Sequence, residues 1–156
     1  MYPHTHFLFP YFIGLLLWKF NFLSWKLALI AGVIGVFVDI DHYVEHILHA
    51  AKKKFSLVDT WNNSVKLHKF YQRSFIHHWQ GALIVSVLLL FGIFWNWQFI
   101  IVLALGYYSH LLLYYVHLNN KKSLAAKLGY FYLKEPWGEV VLDVVLIAGI
   151  VVVILV

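Results

Sequence analysis

The chain contains no cysteine, which excludes disulfides and thiolate ligands, so any metal it holds must sit on His, Asp or Glu. Charge is also scarce: 12% of the 156 residues are charged, against about 25% in an ordinary soluble domain. No P-loop, dinucleotide fingerprint or nucleophile elbow is present, which removes the usual sequence marks of nucleotide-driven and serine-hydrolase chemistry. Internal repeats and low-complexity tracts are lacking too. No Lys or Arg precedes the first apolar run, as a cleaved signal peptide requires, so the N-terminus is expected to be retained.

What fills the chain is apolar. Hydrophobic residues reach 62%, aromatic residues 19%, and the mean hydropathy is +0.75, values that belong to a membrane protein. The length suits a single all-α domain: an integral membrane bundle of about five short transmembrane helices. Apolar runs predict spans at about 7–20, 25–38, 79–95, 98–118 and 140–156. Gly32 and Gly35 offer a small-residue surface for close helix contact in the second span. Residues 43–76 form the long polar stretch; apolar residues recur in it at helical spacing, which predicts one or two amphipathic helices at the interface. The stretch from Asn119 to Glu139 reads as a loop, with a turn at Glu135-Pro136-Trp137-Gly138.

Charge placement orients such a bundle. With all five segments spanning, ten of the twelve Lys and Arg fall on the side of the N-terminus, and only Lys19 and Lys26 on the other. The positive-inside rule makes the N-terminal side cytoplasmic and places a multi-pass protein in the cell membrane. The net charge of +5 is read as topology and lipid headgroup contact, with no nucleic-acid partner expected.

The chain is organised around Gly35-Val-Phe-Val-Asp39-Ile-Asp41-His42, where an apolar run ends in two carboxylates and an imidazole. Ionisable groups at membrane depth are costly and mark a functional site by default. Threading the spans brings His4 and His6, Asp39, Asp41 and His42, and His77 and His78 to one end of the bundle. His110, within the fourth span, is drawn toward them, and Asp143 begins the fifth on the same side. Oxygen and imidazole donors of this kind suit zinc, with manganese or iron as alternatives. His42-Tyr-Val-Glu45-His46 also fits the HxxEH pattern of some metalloproteases, but with His49 on the adjoining face it reads better as an interfacial polar stripe.

In order and spacing, His6 before Gly14, then GVFVDIDH, QRSFIHHW and GYYSHLLL, the chain resembles the small membrane-bound, metal-dependent hydrolases related to the LexA-regulated inner-membrane hydrolase. That family is grouped with zinc-dependent phospholipase C and P1 nuclease. Its pattern runs approximately as an N-terminal His, PDxDH, HRGxTHS and GxxSHLLLD, and the resemblance covers about residues 4–117. It implies metal ligands at His6, Asp39, Asp41, His42, His77 and His110, and catalytic roles for Asp39, Asp41 and Arg73. Val38 replaces the pattern's Pro, Gln72 its first His of the second block, and Tyr114 its last Asp, which removes one imidazole and one carboxylate. His68, His78 and His117 are near enough in sequence to substitute.

The expected function is a membrane-bound metal-dependent hydrolase acting on a phosphoester or ester, lipid-derived, at the cytoplasmic membrane surface. Membrane lipid is an expected partner, alongside a homo-oligomeric or other membrane partner. The alternative is a non-enzymatic integral membrane protein, either a degenerate hydrolase relative or a small subunit of a complex.

Overall fold

The computed structural model describes residues 3–50, 52–67, 75–115, 123–128 and 131–156. Among the described residues, seven α-helices build an all-α membrane bundle: α1 (Pro3–Lys19), α2 (Trp25–Phe37), α3 (Ile40–His49), α4 (Leu57–Leu67), α5 (Trp79–Gly92), α6 (Trp97–Tyr115) and α7 (Trp137–Leu155). A 3₁₀ turn at Phe75–His77 leads into α5. The chain between α6 and α7 departs from the expected loop. It pairs as an antiparallel hairpin of β1 (Ser123–Leu128) and β2 (Phe131–Pro136), with Ser123 opposite Pro136. The expected turn at Glu135–Gly138 is instead the end of β2 running directly into α7, because Pro136 has the extended backbone of an N-cap and Trp137 opens the helix. Glu139 is therefore a helical residue, not a loop one.

Among the described residues, three helices are long and apolar enough to cross a membrane: Trp25–His49, which joins α2 to α3, then α6 and α7. The apolar α5 is shorter, at 14 residues. The junction between α2 and α3 is a pinch, not a bend into a loop. Val38 keeps helical dihedrals, the Asp39 N–H bonds the Val36 carbonyl and the His42 N–H bonds the Asp39 carbonyl. These i→i−3 bonds take Asp39 N–H away from Gly35, whose carbonyl leaves the helical ladder.

Close approach of α1, α2 and α6 rests on small residues, as the Gly32 and Gly35 spacing predicts. Ala28, Ala31, Gly32 and Gly35 form the buried stripe of α2. A Cβ on Gly106 of α6 would meet Ile34 Cγ2 at 2.6 Å and the Ala31 carbonyl at 2.9 Å. At Gly35 a Cβ would overlap the His6 carbonyl oxygen and lie 2.9 Å from Pro10 Cγ. Pro10, within α1, has no N–H to give the His6 carbonyl. The two irregularities, one in α1 and one at the end of α2, therefore meet at Gly35.

Apolar packing then fixes the remaining helices. Leu15, Ala28 and Ile150 tie α7 to α1 and α2, while Leu23, Ala31 and Val102 seat α6. Val38, Tyr107 and Leu111 hold α5 through Ala82 and Val85. Lipid tails are as apolar as these side chains, so the contacts stabilise the bundle by close van der Waals packing and not by removal from water.

Candidate metal centre

The freed carbonyl of Gly35 finds a donor in His110, whose Nδ1 lies 2.8 Å away. A carbonyl only accepts, so Nδ1 carries the hydrogen and the lone pair of the neutral ring is on Nε2. His110 is fully buried and its ring orientation is held by this bond. Orientation of a ligating imidazole through its other nitrogen is the arrangement that metal sites use.

Nε2 of His110 points into a cluster drawn from four chain segments. Asp39 Oδ1 is 3.4 Å from it and His77 Nε2 is 3.0 Å from it. The same Asp39 oxygen is 3.5 Å from His42 Nε2, while Asp39 Oδ2 faces His6 Nε2 at 3.9 Å. The His6 ring stacks on His110 with centroids 4.0 Å apart. Two overlapping donor triads result, His6–Asp39–His110 and Asp39–His42–His77, with Asp39 common to both.

His77 owes its place to α6. Tyr107 OH donates to the Ile76 carbonyl at 2.6 Å and Tyr115 OH to the His77 carbonyl at 3.0 Å, so two tyrosines pin the 3₁₀ turn from one helix. Gly81 completes the seat, since a Cβ there would overlap the Phe75 carbonyl. The turn buries His77 and leaves its neighbour His78 exposed at the start of α5. His6, His77 and His110 are buried, whereas Asp39 and His42 are partly open.

These donors fit a divalent cation on two grounds. Zn–N distances of about 2.0–2.1 Å in a tetrahedron separate neighbouring donors by ~3.3 Å, and three of the contacts above lie at 3.0–3.5 Å. His6 Nδ1 is buried and makes no hydrogen bond among the described residues, and its Nε2 is too far from Asp39 for one. A buried polar nitrogen in that state costs roughly 1–3 kcal/mol, which ligation by the other nitrogen would offset.

Of the residues that sequence singled out, His6, Asp39, His42, His77 and His110 come together. Asp41 lies on α3 with its side chain outside the described set, and Arg73, Gln72, His68 and His117 lie outside the described residues. Tyr114 packs its ring 5.2 Å from that of His77 and brings an aromatic face where the resemblance places a carboxylate. His42 and His46 part company: His46 Nε2 contacts the Lys53 carbonyl at 3.3 Å and joins neither triad, so the HxxEH spacing does not make one site.

A second polar cluster joins His4 and Asp143, which the threading brings to this end, to Thr5 and Glu139, which the sequence reading did not single out. Thr5 Oγ1 lies 2.9 Å from Glu139 Oε1 and 3.2 Å from Asp143 Oδ2, and His4 Nε2 is 2.8 Å from Asp143 Oδ2. Glu139 is 1% exposed. The available signal was two carboxylates four residues apart at the head of an otherwise uncharged apolar helix, a spacing that puts both on one face.

A family model described as YdjM inner membrane protein matches residues 1–119. No curated protein matches the chain, and no solved structure does. The matched region holds all five converging donors and ends before the hairpin and α7.

Proposed function

The chain belongs to the YdjM inner membrane protein family, and we propose that it is a metal-dependent hydrolase of that membrane, acting on a phosphoester or ester of a lipid-derived substrate. The carrying observation is His110: a fully buried imidazole whose Nδ1 is tied to Gly35 and whose Nε2 faces Asp39 and His77. Zinc is the preferred cation for a site of imidazoles and carboxylate without thiolate, with manganese or iron as alternatives. Bound there, such a cation supplies a Lewis acid and a nucleophilic water at neutral pH.

The protein's own groups have separable tasks. His6, His42, His77 and His110 present nitrogen lone pairs, and Gly35, Tyr107 and Tyr115 hold two of those rings in place. Asp39 turns Oδ1 toward both His110 and His42 and Oδ2 toward His6, so it serves as ligand and as the nearest acceptor for a proton released from water. Asp41, two residues further on, is the second candidate base, and Arg73 is assigned to the anionic group of the substrate on the resemblance alone.

Elemental analysis of detergent-purified protein tests the reading. Near-stoichiometric zinc, manganese or iron that falls with His110→Ala supports it; a folded wild type that is metal-free without chelator treatment overturns it. One observation favours the alternative, a bundle without hydrolase activity: Tyr114 supplies no carboxylate beside His77. In the cytoplasmic-N-terminus orientation, reporters fused after Asn120 and Val156 lie on opposite sides of the membrane; the same side for both would rule that orientation out as drawn.

A further inference from the structure

The depth of the donor cluster can be counted along four helices. At ~1.5 Å per residue, Lys19 to His6 on α1 is about 20 Å and Trp25 to Asp39 about 21 Å. On the same scale Trp97 to His110 on α6 is about 20 Å, and Gly92 back to His77 about 22 Å. All four counts start from one end of the bundle, because Gln98 Nε2 donates to the Phe22 carbonyl at 3.2 Å and so joins the α1–α2 turn to the α5–α6 turn. That end carries exposed Phe20, Phe22, Trp25, Phe94, Trp95 and Trp97, the aromatic belt of a membrane interface, together with Lys19 and Lys26. A hydrocarbon core about 30 Å thick then continues ~10 Å beyond the donors, and an ordinary tilt of about 20° shortens the counts by only ~1 Å.

Helix α3 shows what surrounds the donors on that side. Along Trp25–His49 one stripe stays apolar and exposed from end to end: Leu29, Val33 and Phe37 on α2, then Ile40, Val44 and Leu48 on α3. The opposite stripe changes character at the pinch, from Ala28, Ala31, Gly35 and Val38 to His42 and His46. Tyr43 OH and His46 Nε2 contact the carbonyls of Phe55 and Lys53 in the loop that follows α3. A helix lying in water would present the reverse, so α3 is amphipathic with its apolar face outward. Lys52, Lys53 and Lys54 follow directly, so basic residues bracket the whole apolar stripe, with Lys26 at its other end.

We propose that the His/Asp centre is intramembrane, about 10 Å below the hydrocarbon boundary, and that the outer face of α3 lies against lipid acyl chains, not at the membrane surface expected from the polar stretch beginning at residue 43. Resting on the hydrolase reading, the substrate class follows: an ester or phosphoester carried on an acyl chain, entering from the bilayer beside α3.

The absence of cysteine makes a single-site label clean. Val33→Cys, Ile40→Cys, Val44→Cys and Lys54→Cys, each spin-labelled in phosphatidylcholine–phosphatidylglycerol vesicles, are compared for collision with oxygen and with chromium oxalate. Oxygen-rich, oxalate-poor spectra at positions 40 and 44, as at 33, are expected, with 54 open to oxalate. Oxalate access at 40 and 44 equal to that at 54 overturns the proposal. Metal content of the same samples reports on the hydrolase reading separately: a lipid-buried α3 in a metal-free protein defeats that reading and keeps the depth. For the substrate class, hexadecylphosphonate should perturb the visible spectrum of the cobalt-loaded protein in nanodiscs at concentrations at least tenfold below methylphosphonate. Equal potency would overturn lateral entry.

Discussion

Replacing Gly35 by Ala tests the geometry at its tightest point. The added Cβ overlaps the His6 carbonyl oxygen and comes 2.9 Å from Pro10 Cγ, and both obstacles are main chain or ring, with no flexible end to swing away. The helices α1 and α2 must separate, and with them go two parts of the centre: His6 on α1 and the Gly35 carbonyl that holds His110. Overpacking of this kind costs roughly 1–3 kcal/mol of stability. Loss of an orienting contact to a ligating imidazole costs about 10–100-fold in metal affinity. Gly149→Ala is the matched control, since its Cβ would press the Phe12 ring at 2.8 Å, where α7 packs on α1, against atoms that can rotate. Competition titration against a chelator, with thermal unfolding of the same samples, should show Gly35→Ala weakened at least tenfold and Gly149→Ala within twofold of wild type. A folded Gly35→Ala protein with wild-type affinity would refute the assignment of the Gly35 carbonyl as the group that aims His110.

Two further substitutions probe the neighbourhood. Tyr114 follows His110 by one helical turn and its ring lies tilted 5.2 Å from that of His77, so Tyr114→Asp is expected to tighten metal binding by supplying the missing carboxylate, and Tyr114→Phe to leave it within about twofold; weaker binding by a well-folded Tyr114→Asp protein would remove His110 from a site of this design. Thr5→Val deletes the hydroxyl that lies between Glu139 and Asp143, and is expected to cost roughly 1–3 kcal/mol of stability without changing metal affinity, read by unfolding in detergent and by titration. A fall in metal affinity with unchanged stability would instead couple the α1–α7 cluster to the centre.

Composition alone decided the medium and the fold class, because burial of backbone hydrogen bonds in lipid leaves a chain this apolar little choice but helices. The donor types were equally legible. Asp39, His42, His77 and His110 stand out because ionisable residues among apolar neighbours are rare. Which of them meet was decided by contacts between residues far apart in the chain. The choice of His77 over His78 depends on two tyrosines of α6 that grip a 3₁₀ turn. The division of His42 from His46, despite a motif that pairs them, depends on the loop after α3. Glu139 looked like a loop residue until β2 ran straight into α7 and buried it against Thr5. The aim of His110 rests on a carbonyl released by a pinch between α2 and α3, 75 positions away in sequence. Local periodicity reports which face of a helix is apolar. It carries no record of which distant backbone group will be left without its helical partner, and that was settled only when α1, α2 and α6 closed on Gly35.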